Sequence, residues 1–148
     1  MPILPPMQSA IASSNNGTSV VQNPPELRIQ LVEDSARLRV RLEEMLTIPG
    51  VALVAAMADT ETEASEQIRT MEFDVLVVDV ELKEGSGINV VKKARARWPT
   101  PNQPLIIVLT NYALPTVKDR CLAAGANYFL DKMRQFDQLM PLISRHRA

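Results

Sequence analysis

The chain has 148 residues and a hydrophobic fraction of 46%, which suffices for one domain with a covered core and is short for two. Its 16 basic and 17 acidic residues give a net charge of −1, so no overall field would draw it to nucleic acid or to an anionic membrane. The single cysteine, Cys121, excludes an internal disulfide and a cysteine metal cluster, and the only histidine is His146. Any metal site must therefore use oxygen ligands.

The first part of the chain has the composition of a disordered leader. Residues 1–25 carry no charged side chain and hold five of the eleven prolines, so they cannot bury enough apolar surface to offset the entropy of ordering. We expect a disordered segment there and one folded domain over residues 26–148. No apolar run approaches the roughly 20 residues of a transmembrane helix, and the N-terminus lacks the pattern of a secretory signal. These features favour a cytoplasmic protein with no membrane partner.

From Leu27 onward, short apolar runs alternate with segments of helical period, which is typical of a parallel sheet with helices on both faces. Five short runs rich in Val, Ile and Leu are predicted to be buried strands: residues 28–32, 51–57, 75–78, 105–109 and 127–130. The expected fold class is α/β, a doubly wound (βα)5 arrangement with a five-stranded parallel sheet in the order 2-1-3-4-5.

Apolar stripes at helical spacing follow each of these strands. The first begins after Ser35, a predicted N-cap, and the second begins after Thr60, which opens a capping box. The fourth is predicted over residues 115–124 and ends at Gly125, which suits a left-handed C-cap. The fifth contains Pro141, which cannot donate a hydrogen bond inside a helix, so a kink or a late helix start is expected.

Polar side chains stand at the carboxyl ends of four of the five predicted strands. They are Glu33 and Asp34, Asp79, Thr110 and Lys132. Because the carboxyl ends of parallel strands share one edge, where open α/β sheets bind ligands, we expect these side chains to converge. Turn or cap chemistry would explain any one of them alone, but it does not explain the joint pattern. The sequence therefore predicts one site built from these residues.

The expected convergence of Glu33, Asp34 and Asp79 determines the chemistry of this site. Each like-charge pair costs several kcal/mol at an effective dielectric constant of about 20, so either one carboxyl stays protonated or cations compensate. Mg²⁺ prefers such oxygen ligands, and Lys132 supplies a further positive charge. A metal beside a strand-end carboxylate makes Asp79 a candidate nucleophile toward a phosphoryl donor, with Lys132 and the Thr110 hydroxyl binding phosphoryl oxygens.

At these residues the sequence resembles the receiver domain of bacterial response regulators, the CheY-like family, over about residues 28–145. The family's acidic pair, phosphoacceptor, hydroxyl residue and lysine are matched by Glu33 and Asp34, Asp79, Thr110 and Lys132. The separations of 45, 31 and 22 residues between successive positions, counted from Asp34, are also similar. The resemblance is specific because no single short motif carries it, and it implies a flavodoxin- or CheY-like fold.

The resemblance implies phosphorelay signalling with Mg²⁺ or Mn²⁺ as the cofactor. The implied ligands are Glu33, Asp34, Asp79 and the main-chain carbonyl of Glu81. Phosphorylation of Asp79 would draw the Thr110 hydroxyl inward and turn Phe129 from an exposed to a buried rotamer. The face formed by helix 4, strand 5 and helix 5 would change shape as a result. An ordinary core role for Phe129 stays open.

The implied partners are proteins. A sensor histidine kinase or a histidine phosphotransfer protein would donate the phosphoryl group, and a downstream effector would receive the signal. Homodimerisation through the helix 4, strand 5 and helix 5 face is a further alternative. We expect no enzymatic activity beyond self-catalysed phosphotransfer and autodephosphorylation. No nucleic-acid partner is expected, because residues 144–148 after the predicted fifth helix are too few for a helix-turn-helix.

Residues beside the predicted site depart from the family pattern. Asn111 replaces the usual small residue after the threonine, and Tyr112 is bulky, so both are expected to restrict access by small donors or water. Met133 follows the lysine where the family usually has proline, so the loop after strand 5 is expected to sit differently.

Two alternative functions stay open. A pseudo-receiver would use the same fold as a protein-interaction module without being phosphorylated, although the complete acid set argues against it. A haloacid-dehalogenase-like phosphohydrolase also uses a strand-end aspartate with magnesium. It needs a second aspartate two residues on, where this chain has Glu81.

Overall fold

The structure, a computed structural model, describes residues 25–147. Within that range strands and helices alternate along the chain: β1 Leu27–Val32, α1 Ala36–Leu46, β2 Ala52–Ala58, α2 Glu61–Thr70, β3 Val75–Val78, α3 Gly87–Arg97, β4 Leu105–Thr110, α4 Pro115–Ala124, β5 Tyr128–Asp131 and α5 Leu139–Arg147. A single 3-10 turn, Phe136–Gln138, precedes α5. The disordered leader predicted over residues 1–25 lies outside the described residues except for Pro25.

The five strands form one parallel sheet in the order β2-β1-β3-β4-β5, which confirms the predicted doubly wound α/β fold. The chain runs outward from β1 to β2 and then returns across β1 to β3. The order therefore reverses between β1 and β3, and ligands in open α/β sheets bind at the carboxyl ends of the strands beside such a reversal. Glu33 and Asp79 are the residues that directly follow these two strands.

The core consists of two hydrophobic clusters, one on each face of the sheet. Side chains of β3 alternate between them, because successive residues of a strand point to opposite faces. Leu76 and Val78 pack in the cluster that contains buried residues of α2, α3 and α4. Val75 and Val77 pack in the cluster that contains buried residues of α1 and α5. Both faces are covered, which explains why the strands consist almost entirely of apolar residues.

The helix ends are largely as the sequence predicts. The Ser35 hydroxyl accepts a hydrogen bond from the Leu38 N–H at 3.2 Å, and Gly125 ends α4 with a φ of +120°. Pro141 lies in the first turn of α5, where no helical partner is needed for its missing N–H, so the late start is the correct alternative. The helix then continues to Arg147, so residues 144–147, which are expected from the sequence to follow the helix, are part of it. No helix within residues 25–147 has the length and apolar character to span a bilayer.

Candidate functional site

Three carboxylates meet at the carboxyl ends of β1 and β3. One oxygen from each of Glu33, Asp34 and Asp79 lies within 4.8 Å of the others. Glu33 and Asp79 are buried, with 2% and 6% of their surface exposed, and Asp34 is half-buried. The cause is the register of the sheet, because Val32 of β1 pairs with Val78 of β3 and the next residues therefore stand side by side.

Lys132 brings a cation into this carboxylate cluster from the end of β5. Its Nζ donates hydrogen bonds to Asp79 Oδ2 at 2.7 Å and to Glu33 Oε1 at 2.8 Å. Its own N–H donates to the Thr110 carbonyl at 3.0 Å, which holds the start of the β5–α5 connection against the end of β4. The ammonium is therefore shared between two buried carboxylates that would otherwise repel each other.

The electrostatics of the cluster follow from burial and from this shared lysine. Burial raises the pKa of Glu33, hydrogen bonds from Lys132 and from the Ser35 N–H oppose that shift, and the charge of Asp79 adds to it. Burial by itself would lower the pKa of Lys132, but its hydrogen bonds to Asp79 and Glu33 raise the pKa above its ordinary value. These hydrogen bonds therefore favour the charged form of Lys132, whereas burial disfavours the ionised form of Glu33.

The donor set fits a hard divalent cation. Three carboxylates stand against one ammonium, and within residues 25–147 the Asp34 side chain makes no hydrogen bond or ion pair. The cluster thus has carboxylate oxygens to offer and too little positive charge to balance them. Mg²⁺ and Mn²⁺ suit such oxygen ligands and can retain water in the remaining positions.

The loop after β3 passes close to Asp79. The N–H of Glu81 donates to Asp79 Oδ1 at 3.4 Å, while the Glu81 side chain is exposed. Gly87 closes the loop, because its N–H donates to the Val80 carbonyl at 2.9 Å and a Cβ at Gly87 would lie 1.9 Å from the Asp79 carbonyl oxygen. Only a residue without a side chain allows this approach.

Gly87 and Arg39 are two residues at the site that the sequence-based predictions do not include. Arg39 Nη1 donates to the main-chain carbonyl of Glu33 at 2.8 Å and lies 4.0 Å from Asp59 Oδ2. Arg39 therefore fixes the main chain of the acidic pair. In the sequence it is one of three alternating arginines in α1, and no pattern distinguishes it from the other two.

The remaining predicted site residues lie at the end of β4, in the loop after it and on β5. Thr110 is buried at the end of β4, and its hydroxyl oxygen accepts a hydrogen bond from the Tyr112 N–H at 3.1 Å. Tyr112 is 45% exposed, and Asn111 is also exposed and lines an open cleft of about 290 Å³ together with Lys132. Phe129 is half-buried and packs against the core cluster of α2, α3 and α4.

The fold and this site together define a class of α/β domains with a cluster of carboxylates, bound by one lysine, at the carboxyl edge of the sheet. The response regulator receiver domain family matches residues 29–144, which is most of the chain. The chain therefore belongs to the response regulator receiver domain family, as its resemblance predicts.

The curated proteins that are similar to this chain include a transcriptional regulatory protein and a protein-glutamate methylesterase/protein-glutamine glutaminase. The chain is 29% identical over 116 residues to the transcriptional regulatory protein PdtaR of Mycobacterium tuberculosis, covering 78% of this chain and 54% of that protein. It is 36% identical over 107 residues to a protein-glutamate methylesterase/protein-glutamine glutaminase of Pseudoalteromonas atlantica, and this match covers 71% of this chain and 27% of that protein. The chain thus spans about half or less of the length of these curated relatives.

Solved receiver domains match the fold over nearly their whole length. One is the receiver domain of a sensor histidine kinase from Pseudomonas aeruginosa PAO1, solved with a magnesium ion coordinated in its active-site cleft. It has a TM-score of 0.66 and 26% identity, and the match covers 82% of this chain and 97% of that one. The response regulator domain of Thermotoga maritima CheB matches with a TM-score of 0.68 at 24% identity, covering 83% and 95%.

Proposed function

We propose that Asp79 accepts a phosphoryl group from a sensor histidine kinase or a histidine phosphotransfer protein, with Mg²⁺ or Mn²⁺ held by Glu33, Asp34, Asp79 and the Glu81 carbonyl. The observation that carries this proposal is the pair of hydrogen bonds from the Lys132 ammonium to Asp79 and Glu33. They hold a cation beside the proposed nucleophile. The magnesium coordinated in the related Pseudomonas receiver supports the choice of cofactor.

In the proposed step, an Asp79 carboxylate oxygen forms a bond to phosphorus while the bond from phosphorus to the donor's imidazole nitrogen breaks. The electron pair of the broken bond returns to the imidazole, which becomes the leaving group. Lys132 would bind one equatorial phosphoryl oxygen as a point charge, and the Thr110 hydroxyl would bind another. A bound divalent cation would offset the charge of the phosphoryl oxygens and the carboxylates. The protein would be a self-modifying receiver and not an enzyme for other substrates.

Output would pass through the face formed by α4, β5 and α5 to an effector protein. Of six exposed large apolar side chains in residues 25–147, all but Val40 lie between residues 112 and 133: Tyr112, Leu114, Leu122, Tyr128 and Met133. Exposed aromatic and aliphatic groups suit protein contacts. The hydroxyl of Thr110 and the ring of Phe129 would link this face to the site, and a second copy of the chain is an alternative partner for it.

The first test is intact mass after incubation with acetyl phosphate and Mg²⁺. We expect a single phosphoryl adduct that is lost in Asp79→Ala and in the presence of EDTA. Asp137→Ala serves as the matched control, because Asp137 is exposed in the turn before α5 and lies outside the site. A protein that takes no phosphoryl group from acetyl phosphate or from a histidine phosphotransfer donor would instead be a pseudo-receiver, which acts through protein contacts alone.

A further inference from the structure

The loop between β3 and α3, residues 80–86, is attached to the start of α2 through the side chain of Glu61. Glu61 Oε1 accepts hydrogen bonds from the Ser86 N–H at 3.0 Å and from Asn89 Nδ2 at 3.1 Å. Glu61 Oε2 accepts a hydrogen bond from Lys93 Nζ at 2.9 Å. Only 15% of the Glu61 side chain is exposed, so one shielded carboxylate collects three donors from the loop and from α3.

Main-chain contacts hold the same loop against the β2–α2 corner. The N–H of Glu61 donates to the Glu84 carbonyl at 2.9 Å, and the N–H of Lys83 donates to the Asp59 carbonyl at 3.1 Å. Gly85 has a φ of +78°, and a Cβ there would lie 2.3 Å from the Cβ of Glu61. The loop and α2 therefore approach so closely that a side chain at this position would have to displace Glu61.

The loop connects Glu61 to the carboxylate cluster through two short steps. Ser86, which donates to Glu61, pairs with Glu81 in an antiparallel β-bridge. Glu81 in turn donates its N–H to Asp79 Oδ1 at 3.4 Å. The Glu61 carboxylate thus lies outside the cluster but holds the strand-like segment that places the Glu81 main chain beside Asp79.

We propose that Glu61 is a positioning residue for the metal and phosphoacceptor site, acting through Ser86 on the Glu81 main chain. The inference rests on the proposed function, because it concerns how tightly that site holds a divalent cation. Without an acceptor for the Ser86 N–H, the loop keeps its main-chain hydrogen bonds to the β2–α2 corner but loses the side-chain contact that holds Ser86, and the substitution alters none of the three carboxylates or Lys132. Loss of such an outer contact weakens metal binding by about 10- to 100-fold.

The decisive experiment titrates Mg²⁺ alone into the full chain by calorimetry. Glu61→Ala removes the acceptor, and we expect the Kd for Mg²⁺ to rise about tenfold. Glu61→Asp keeps the charge but shortens the side chain by one methylene, and a similar loss is expected. Glu61→Gln removes the charge but keeps an oxygen for Ser86, so its Kd should stay within about threefold of wild type by the same reasoning.

Glu66→Ala is the matched control, because Glu66 is an exposed carboxylate of α2 that pairs with Arg69 and does not contact the loop. We expect its Kd to equal that of wild type. In metal-free protein, hydrogen exchange of the amides in residues 80–86 should speed up in Glu61→Ala and Glu61→Asp but not in Glu66→Ala. This readout does not depend on the metal and shows directly whether the loop is held less firmly without the Glu61 carboxylate.

The possible outcomes separate the two proposals. Wild type and all variants binding Mg²⁺ equally would overturn the positioning role and leave the proposed function intact. Equal weakening in Glu61→Gln and Glu66→Ala, with Glu61→Asp unchanged, would show an effect of charge and not of position. Failure of the wild type itself to bind Mg²⁺ would overturn the proposed function and this inference with it. If Glu61→Ala does not fold, the Asp and Gln variants still decide the question.

Discussion

The Lys132 ammonium lies 2.7 Å from an Asp79 carboxylate oxygen, across a sequence separation of 53 residues. The same ammonium contacts Glu33, so the ends of β1, β3 and β5 are joined through one cation whose side chain is 9% exposed. A charged side chain in this position contributes to the stability of the fold as well as to the proposed chemistry. The contribution can be measured without any phosphoryl donor.

Lys132→Met is expected to lower the free energy of unfolding at pH 7 by about 3 kcal/mol. It removes the cation from two carboxylates that are 3% and 7% exposed in their side chains, and an unpaired buried charge is costly. Urea unfolding with and without Mg²⁺ measures the effect, and Mg²⁺ should restore part of the loss. Lys92→Met, at an exposed position of α3, should change stability by less than about 0.5 kcal/mol. Equal effects of both substitutions would contradict the structural role of Lys132.

Glu33→Gln is expected to make the metal-free protein more stable than wild type at pH 7.5. The pKa of Glu33 is raised in the folded state, chiefly by burial, so its protonation favours folding. That contribution is fully present below the unfolded value near 4.5 and is lost as the pH rises through the raised folded pKa. The stability advantage of Glu33→Gln over wild type should therefore grow as the pH rises from about 4.5 through the raised folded pKa, and then level off.

Thermal unfolding of wild type and Glu33→Gln from pH 4 to pH 8 in EDTA measures this difference. Mg²⁺ should stabilise the wild type more than the variant, because the variant lacks one proposed ligand. A difference in melting temperature that does not change with pH would show that Glu33 is not the titrating group.

Gly87→Ala is expected to destabilise the domain by about 3 kcal/mol, since the added Cβ meets the Asp79 carbonyl at 1.9 Å and the main chain must shift. The same shift should reduce phosphorylation by acetyl phosphate. Gly50→Ala is the comparison: among residues 25–147 its Cβ would have no atom within 4 Å, and the φ of +79° penalises it by about 1 kcal/mol. Urea unfolding of both variants tests the distinction, and an equal loss in both would remove the steric argument.

Cys121 should not react with a thiol reagent in the folded protein. It is fully buried in the core, and burial raises the pKa of the Cys121 thiol to about 11, so little thiolate exists at pH 8. Reaction with a chromogenic disulfide should be slow in buffer and complete, with one thiol per chain, in concentrated urea. Rapid and complete reaction in buffer would show that α4 opens readily.

The sequence by itself determines the alternation of strands and helices and the identity of the strand-end residues. These features depend on local chemistry: apolar runs bounded by turn residues form buried strands, and Ser35 and Thr60 begin helices through hydrogen bonds within three residues. The proximity of Glu33 and Asp79 can also be predicted from the sequence, because parallel strands must place their carboxyl ends at one edge. The late start of α5 cannot be predicted in the same way, since Pro141 is compatible with either a kink or a late start until the preceding turn is known.

Only the tertiary structure decides which atoms meet. Lys132 could have faced solvent, and its contacts with two carboxylates depend on how β5 lies against β4. Arg39 and Glu61 act through main-chain carbonyl and N–H groups, which every residue carries and which therefore leave no mark in the sequence. The requirement for glycine at position 87 likewise depends on a tertiary contact, because the Asp79 carbonyl oxygen would lie 1.9 Å from any Cβ at this position. Such contacts join residues that are distant along the chain, so local propensity and periodicity contain no information about them.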